Sequence, residues 1–253
     1  MLLETKNAVI YGGGGSIGGA VARAFAREGA RVFLAGRTLA TLDAVADEIR
    51  AAGGAAETAE VDALDARAVD EHADAVAAAG GSLDVSFNSI THPHTHGTLM
   101  TEMDVDDYAA PVETAVRTTF LTTRAAARHM IRQKAGVMLA FGGSGDPMRD
   151  YYIGGTQLAF EAVESMRRQL SAELGPHGVR FVTLRTGGVP TSLPDGLPDP
   201  ARDAIVKGIE QQTLTGRAAT LEDVGHVAAF VASNRARTMT AATVNVSAGA
   251  LID

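Results

Sequence analysis

Four consecutive glycines, Gly12 to Gly15, run directly into Ser16, Ile17 and Gly18 in the stretch "AVIYGGGGSIGGAVARAF". Glycine permits a tight turn and lets a bulky anion approach the main chain, while free N–H groups at a helix start near Ser16 and Ile17 face that anion. The matching chemistry is diphosphate binding, provided that a strand precedes the turn and a helix follows it; a Gly-rich turn without a ligand is the alternative. Further on, "FLAGRT" places Arg37 where a dinucleotide site selecting an unphosphorylated ribose carries an acid. An arginine there can clamp a 2′-phosphate through charge-assisted hydrogen bonds, so NADP(H) is the expected cofactor. The competing reading is a solvated arginine at a strand end.

Two further groups of residues could do chemistry. In "THPHTHG", His92, His94 and His96 alternate, so in an extended segment their imidazoles share a face and could hold a metal, supply an acid or touch a substrate. Pro93 interrupts the run and no cysteine accompanies it, so no metal site is expected and loop histidines beside a pocket are the plainer reading. In "YYIGGTQLAFEAVESMRRQL", Tyr151 and Tyr152 precede a long helical pattern, yet the lysines of the chain are Lys6, Lys134 and Lys207, none nearby. Paired tyrosines before a helix serve as packing or rim residues as readily as acids.

The elements that must position these residues follow from periodicity. Short apolar runs ("NAVIY", "RVFLAG", "AAETAEV", "LDVSFNS", "GVMLAF", "VRFVTLR", "ATVNVS") alternate with helical patterns beginning at Ser16, Thr41, Ala66, Ala115, Thr156 and Leu221. Repeated βαβ units cross over right-handed, which predicts a Rossmann-type doubly wound parallel sheet of about seven strands, with helices on both faces and a single domain over residues 1–253. The Pro/Gly-dense "TGGVPTSLPDGLPDP" interrupts this pattern without separating two cores, and reads as a mobile loop over a site.

Composition excludes several partners. A formal net charge of −8 and a pI near 5.4 oppose a surface that tracks nucleic-acid phosphates. The chain has no cysteine, so neither a disulfide framework nor a thiolate metal site can form. No apolar run approaches the roughly 20 residues of a membrane helix, and "MLLETKNAVIYG" has no basic segment followed by a long apolar one. A cytoplasmic protein acting on a small molecule is the expectation.

The motifs together resemble the short-chain dehydrogenase/reductase family over nearly the whole chain. The T-G-x-x-x-G-I-G element of that family is similar to Tyr11-Gly12-Gly13-Gly14-Gly15-Ser16-Ile17-Gly18, and its adenine-contacting Asp to Asp62, beside Ala63. The first Asn of its N-N-A-G element matches Asn88, with Ser89, Ile90 and Thr91 at the other three places. In "RTGGVPT", Thr186 stands for the family's Pro, and Gly187 and Thr191 match its P-G-x-x-x-T pattern. The resemblance implies cofactor contacts at Thr186 and Val189, and a nicotinamide carboxamide held by Thr191. It also implies a homo-oligomer, tetramer or dimer, that pairs the long helices expected to begin near Val112 and Thr156.

The family's catalytic residues have no match. Its Y-x-x-x-K falls on Thr156 and Phe160, its serine near Gly143 with Ser144 one place on, and its helix asparagine near Ala115. Carbonyl reduction needs a hydride and an acid within hydrogen-bond reach. Two readings therefore stand. The first is an NADP(H)-dependent oxidoreductase of atypical site acting on a small carbonyl or conjugated alkene, with Tyr152, Ser144 and His94 as candidate catalytic groups. The second is a nucleotide-binding protein that has lost chemistry.

Overall fold

The computed structural model describes residues 1–93, 95–143, 152–193 and 196–252. Strands β1 (Asn7–Tyr11), β2 (Arg31–Gly36), β3 (Ala55–Glu60), β4 (Val85–Asn88), β5 (Gly136–Gly142), β6 (Val179–Arg185) and β7 (Ala242–Asn245) form one sheet in the order β3-β2-β1-β4-β5-β6-β7. Every pairing is parallel, with Tyr11 opposite Ala35 on one side and Asn88 on the other. Strands β1 and β4 are buried along their whole length, as central strands covered on both faces must be.

Helices α1 (Ser16–Arg27), α2 (Leu39–Ala51), α3 (Ala66–Gly80), α4 (Val105–Gln133), α5 (Thr156–Leu174), α6 (Asp199–Gln211) and α7 (Leu221–Ala232) complete the described structure. Two apolar cores sandwich the sheet. In one, Val21 and Phe25 of α1, Leu42 and Ile49 of α2 and Val224 and Val231 of α7 pack on Ile10, Leu34 and Leu184. In the other, Val69 and Ala73 of α3, Ala115 and Met130 of α4 and Ala159 and Val163 of α5 pack on Val9, Tyr11, Met138 and Phe181. The alternation of β-strand side chains between the two cores is the period-two rule at work.

Two expectations are corrected. Helix α4 begins at Val105 rather than near Val112: Asp104 caps it, its Oδ1 accepting from the Asp106 N–H at 2.9 Å, and Pro111 is carried inside the helix. The Pro/Gly-dense segment gives a 3₁₀ turn at Pro190–Ser192 and then α6, a helix not anticipated because Pro198 and Pro200 open it and Gly208 lies inside it, although Ala201, Ile205 and Ile209 recur at helical spacing. Pro198 stands at its N-cap and Pro200 in its first turn, where a missing N–H costs nothing.

The second core holds an unusual polar pair. The Tyr11 ring meets the His72 ring edge-on at 6.0 Å between centroids, and neither the phenol oxygen nor His72 Nδ1 has a hydrogen-bond partner. Burial, with the Asp70 charge adding, raises the Tyr11 phenol well above its usual range; burial pushes His72 down to about 4. His72 thus folds as a neutral ring, and the unfolded chain takes up its proton first. Its contribution is fully present above about pH 6.5 and is lost as pH falls from there through about 4. Thermal melts across that window should show a steeper loss of stability in the wild type than in a His72→Phe variant.

Candidate nucleotide cleft and the site beside it

A cleft of about 430 Å³ opens at the carboxyl ends of β1 to β4, where the chain switches direction between β1 and β4. In open parallel sheets that crevice is the ligand site. Its floor is the turn between β1 and α1. Gly12 has φ +79° and donates its N–H to the Ala35 carbonyl at 2.8 Å, and the Gly15 N–H closes the turn on the Gly12 carbonyl at 3.0 Å. A Cβ on Gly18 would collide with the Gly12 carbonyl oxygen and lie 2.7 Å from Ser89 Oγ, while one on Gly14 would run into the Thr41 side chain. The glycines are needed because three pieces of chain cross there at backbone contact. Helix α1 starts with Gly15 at its N-cap and no capping side chain, so its first N–H groups are left for an external acceptor.

Arg37 lines the cleft just after β2, exposed, and forms no salt bridge among the described residues. After β3, Asp62 folds into a turn, its Oδ1 accepting from the Leu64 N–H at 2.9 Å, next to the buried Ala63. The cleft therefore brings together Gly12, Gly15, Arg37, Asp62 and Ala63, with Ser16, Ile17 and Gly18 opening the helix at its floor. Ser89, Thr41, Leu64, Thr114 and Thr118 join them, residues the sequence reading did not single out for this site. Ser89 Oγ donates to the Tyr11 carbonyl at 2.9 Å and so ties β4 to the turn. The i, i+4 spacing of Thr114 and Thr118 on one helix face was the available signal.

The remaining cofactor candidates lie outside the lining of that cleft. Asn88 is buried at the end of β4: its Oδ1 accepts from the Ile90 N–H at 3.0 Å and its Nδ2 donates to Thr122 Oγ1 at 3.3 Å. Thr186 follows β6 and donates its N–H to the Gly142 carbonyl at 3.4 Å, and Val189 is buried. Thr191 Oγ1 accepts from the Leu221 N–H at 2.9 Å, tying its turn to the start of α7.

A second set of residues meets beside β5. Gly143 is packed under the Phe160 ring, so that a Cβ there would lie 2.5 Å from Cε2. The His92 ring meets that same phenyl ring edge-on, with centroids 5.6 Å apart. One helical turn before Phe160, Thr156 Oγ1 is buried with no hydrogen-bond partner among the described residues, and Ala115 of α4 is buried as well. Helices α4 and α5 approach closely at this end: a Cβ on Gly155 would collide with the Tyr108 carbonyl. Tyr152 is exposed, with φ +47°. His94 and Ser144 lie outside the described residues.

A sequence profile of the family described as enoyl-(acyl carrier protein) reductase matches residues 13–250. Among curated proteins, meso-2,3-butanediol dehydrogenase of Serratia marcescens is 30% identical over 99% of this chain and 96% of its own. An uncharacterised oxidoreductase of Mycobacterium tuberculosis is 32% identical over 98% of this chain and 92% of its own. Among solved structures, a dehydrogenase/reductase from Sinorhizobium meliloti 1021 superposes with a TM-score of 0.84 at 25% identity, over 99% and 96% of the two chains. The chain belongs to the short-chain dehydrogenase/reductase family. The oxidoreductases of this family use a nicotinamide nucleotide, and the residues here fit one: the uncapped start of α1 and the glycine turn suit a diphosphate, and the walls beyond them suit an adenosine.

Because Gly18 sits against both the Gly12 carbonyl and Ser89, Gly18→Val should force the turn open. Overpacking of this kind costs about 1–3 kcal/mol. The variant should melt at a lower temperature and bind reduced nicotinamide nucleotides at least about tenfold more weakly in fluorescence titrations.

Proposed function

We propose that this chain is an NADP(H)-dependent reductase of a small carbonyl or conjugated-alkene substrate, working with catalytic groups other than the family's Asn-Ser-Tyr-Lys set. The observation that carries the cofactor preference is Arg37, an exposed cation on the lip of the cleft where an NAD site needs an acid. A bound nicotinamide nucleotide supplies the hydride. Gly12 to Gly18 hold its diphosphate, Arg37 a 2′-phosphate and Asp62 with Ala63 the adenine end. Asn88 shapes the strand end beneath the nicotinamide side, while Thr186, Val189 and Thr191 border it.

Support for the substrate class comes from what stands at the family's catalytic positions. Ala115, Gly143 and Phe160 offer no side chain that can move a proton, and Thr156 offers only a hydroxyl. With no lysine ammonium to make a neighbouring phenol a base, alcohol oxidation at neutral pH is disfavoured, and substrates that accept a hydride readily are favoured. The enoyl reduction named in the matching family description points to the same class. The candidates for acid and carbonyl-orienting groups are Tyr152, Ser144 and a histidine of the 92–96 segment. The same substitutions favour a second reading, a nucleotide-binding protein without chemistry.

A screen of ketones, quinones and enones against NADPH, followed by its absorbance, separates the two. Turnover of at least one class is the expected result; binding of NADPH with no turnover would favour the second reading. Hydrogen bonds to charged groups contribute about 1.5–3 kcal/mol, so Arg37→Ala should weaken NADPH binding by about 10- to 100-fold and leave NADH nearly unchanged. Tighter binding of NADH by the wild type would overturn the NADP(H) assignment.

We also propose that the chain assembles as a homotetramer or dimer through α4 and α5, where Phe120 and Leu158 leave about half of their surface exposed. Light scattering at micromolar concentration should give a multiple of the chain mass, and a monomeric mass would count against it.

A further inference from the structure

We infer that His92 is the proton donor of the reduction, held in place by Phe160; the inference rests on the oxidoreductase reading above. The argument starts from a requirement. When a substrate carbonyl carbon receives a hydride, its oxygen must receive a proton from a group within reach. Among Ala115, Gly143, Thr156 and Phe160, the one polar side chain is the Thr156 hydroxyl, and an alcohol is too weak an acid to give up its proton at neutral pH. Its hydroxyl, buried and with no hydrogen-bond partner among the described residues, can instead donate a hydrogen bond that orients the substrate oxygen.

The described residues place one imidazole, that of His92, against Phe160. The Phe160 ring lies so close over Gly143 that not even a β-carbon fits between them, which confines the ring on that side. The same ring also meets the His92 ring edge-on, an arrangement that an aromatic quadrupole favours. Thr156 and Phe160 are four residues apart on α5 and share a helix face, so the orienting hydroxyl and the ring that fixes the imidazole come from one surface. His92 follows Asn88 by four residues, so the loop that presents the imidazole springs from the strand end at the switch point. It is partly exposed and can regain a proton from water.

The step balances as follows. The substrate carbon takes a hydride with its two electrons, and the C=O π pair moves to oxygen. That oxygen takes the proton of the His92 imidazolium. The products are an alcohol, the oxidised nicotinamide and a neutral imidazole, which water or buffer reprotonates. For a conjugated ketone the hydride enters at the β-carbon, and the same oxygen receives the proton before tautomerisation.

Among the described residues, strand β5 carries no titratable side chain. Helix α5 carries Glu161 next to Phe160 and Glu164 one turn further; the Glu164 carboxylate accepts from Arg167 and, at 2.7 Å, from Thr243 Oγ1. His96 shares the His92 loop.

The test compares wild type with His92→Gln, using whichever substrate of the screen is reduced fastest. Loss of a positioned general acid typically costs 10²- to 10⁴-fold, so kcat should fall at least about 100-fold, with NADPH affinity by fluorescence titration kept within about twofold. Wild-type kcat should decline as pH rises through the imidazole range around pH 6.5, and the variant should lack that limb. In the unliganded protein, the ring resonance that disappears in His92→Gln should titrate in the same range, which checks the assignment without turnover. If His92→Gln does not fold, His92→Asn takes its place in both the kinetic and the resonance measurements. If wild type turns over but the variant keeps its rate and its alkaline limb, or if Tyr152→Phe alone abolishes turnover, the His92 assignment is wrong and the oxidoreductase reading survives. If wild type reduces nothing while binding NADPH, both are overturned.

Discussion

The crossing of backbone segments at Gly12, Gly18 and Ser89 is the constraint on which the rest of the structure depends. Strand β1 delivers the chain to this point, the turn reverses it into α1, and β4 arrives beside it with Ser89 Oγ on the Tyr11 carbonyl. No side chain beyond hydrogen fits at positions 12 or 18 without displacing main-chain atoms. The same closeness leaves the first N–H groups of α1 without a capping side chain at the edge of a cleft, so the feature that packs the sheet switch point also leaves backbone donors there.

A second close approach organises the other half of the site. Helices α4 and α5 meet so tightly at Gly155 that its α-carbon rests on the Tyr108 carbonyl, one residue before Thr156. Along α4 the threonines turn their hydroxyls back on the helix: Thr118 donates to the Thr114 carbonyl at 2.8 Å, Thr122 to that of Thr118 at 2.7 Å. Their polar atoms are thereby satisfied inside an apolar layer, and Thr122 still accepts from Asn88. The result joins β4, α4 and α5 around Phe160, whose ring takes the room that a side chain at position 143 would need. Substitutions at positions 143 and 160 are coupled by this contact: the glycine makes space and the ring fills it.

Much of the fold could be read from local patterns. The strand and helix alternation, the parallel order that it implies and the glycine turn between β1 and α1 all depend on residues near one another in sequence. Arg37 was legible for the same reason, because the end of a second strand is recognisable and its residue type states the charge. Helix α6 was not, since Pro198, Pro200 and Gly208 mask the helical spacing of Ala201, Ile205 and Ile209, and the true start of α4 was hidden behind Pro111. Of the proposed catalytic groups His94, Ser144 and Tyr152, the first two lie outside the described residues and Tyr152 is exposed.

What the sequence determined alone was thus the architecture and the glycine turn at the cleft floor, because both follow from periodicity and from residue types a few positions apart. What the tertiary structure decided was partnership across distance: Ser89 backing Gly12 and Gly18, Phe160 over Gly143, and His92 against Phe160. These pairs come from segments far apart in the chain. They meet only after the β1–β4 and β4–β5 registers and the α4–α5 crossing are set, and no local spacing encodes which rings and which glycines those registers bring face to face.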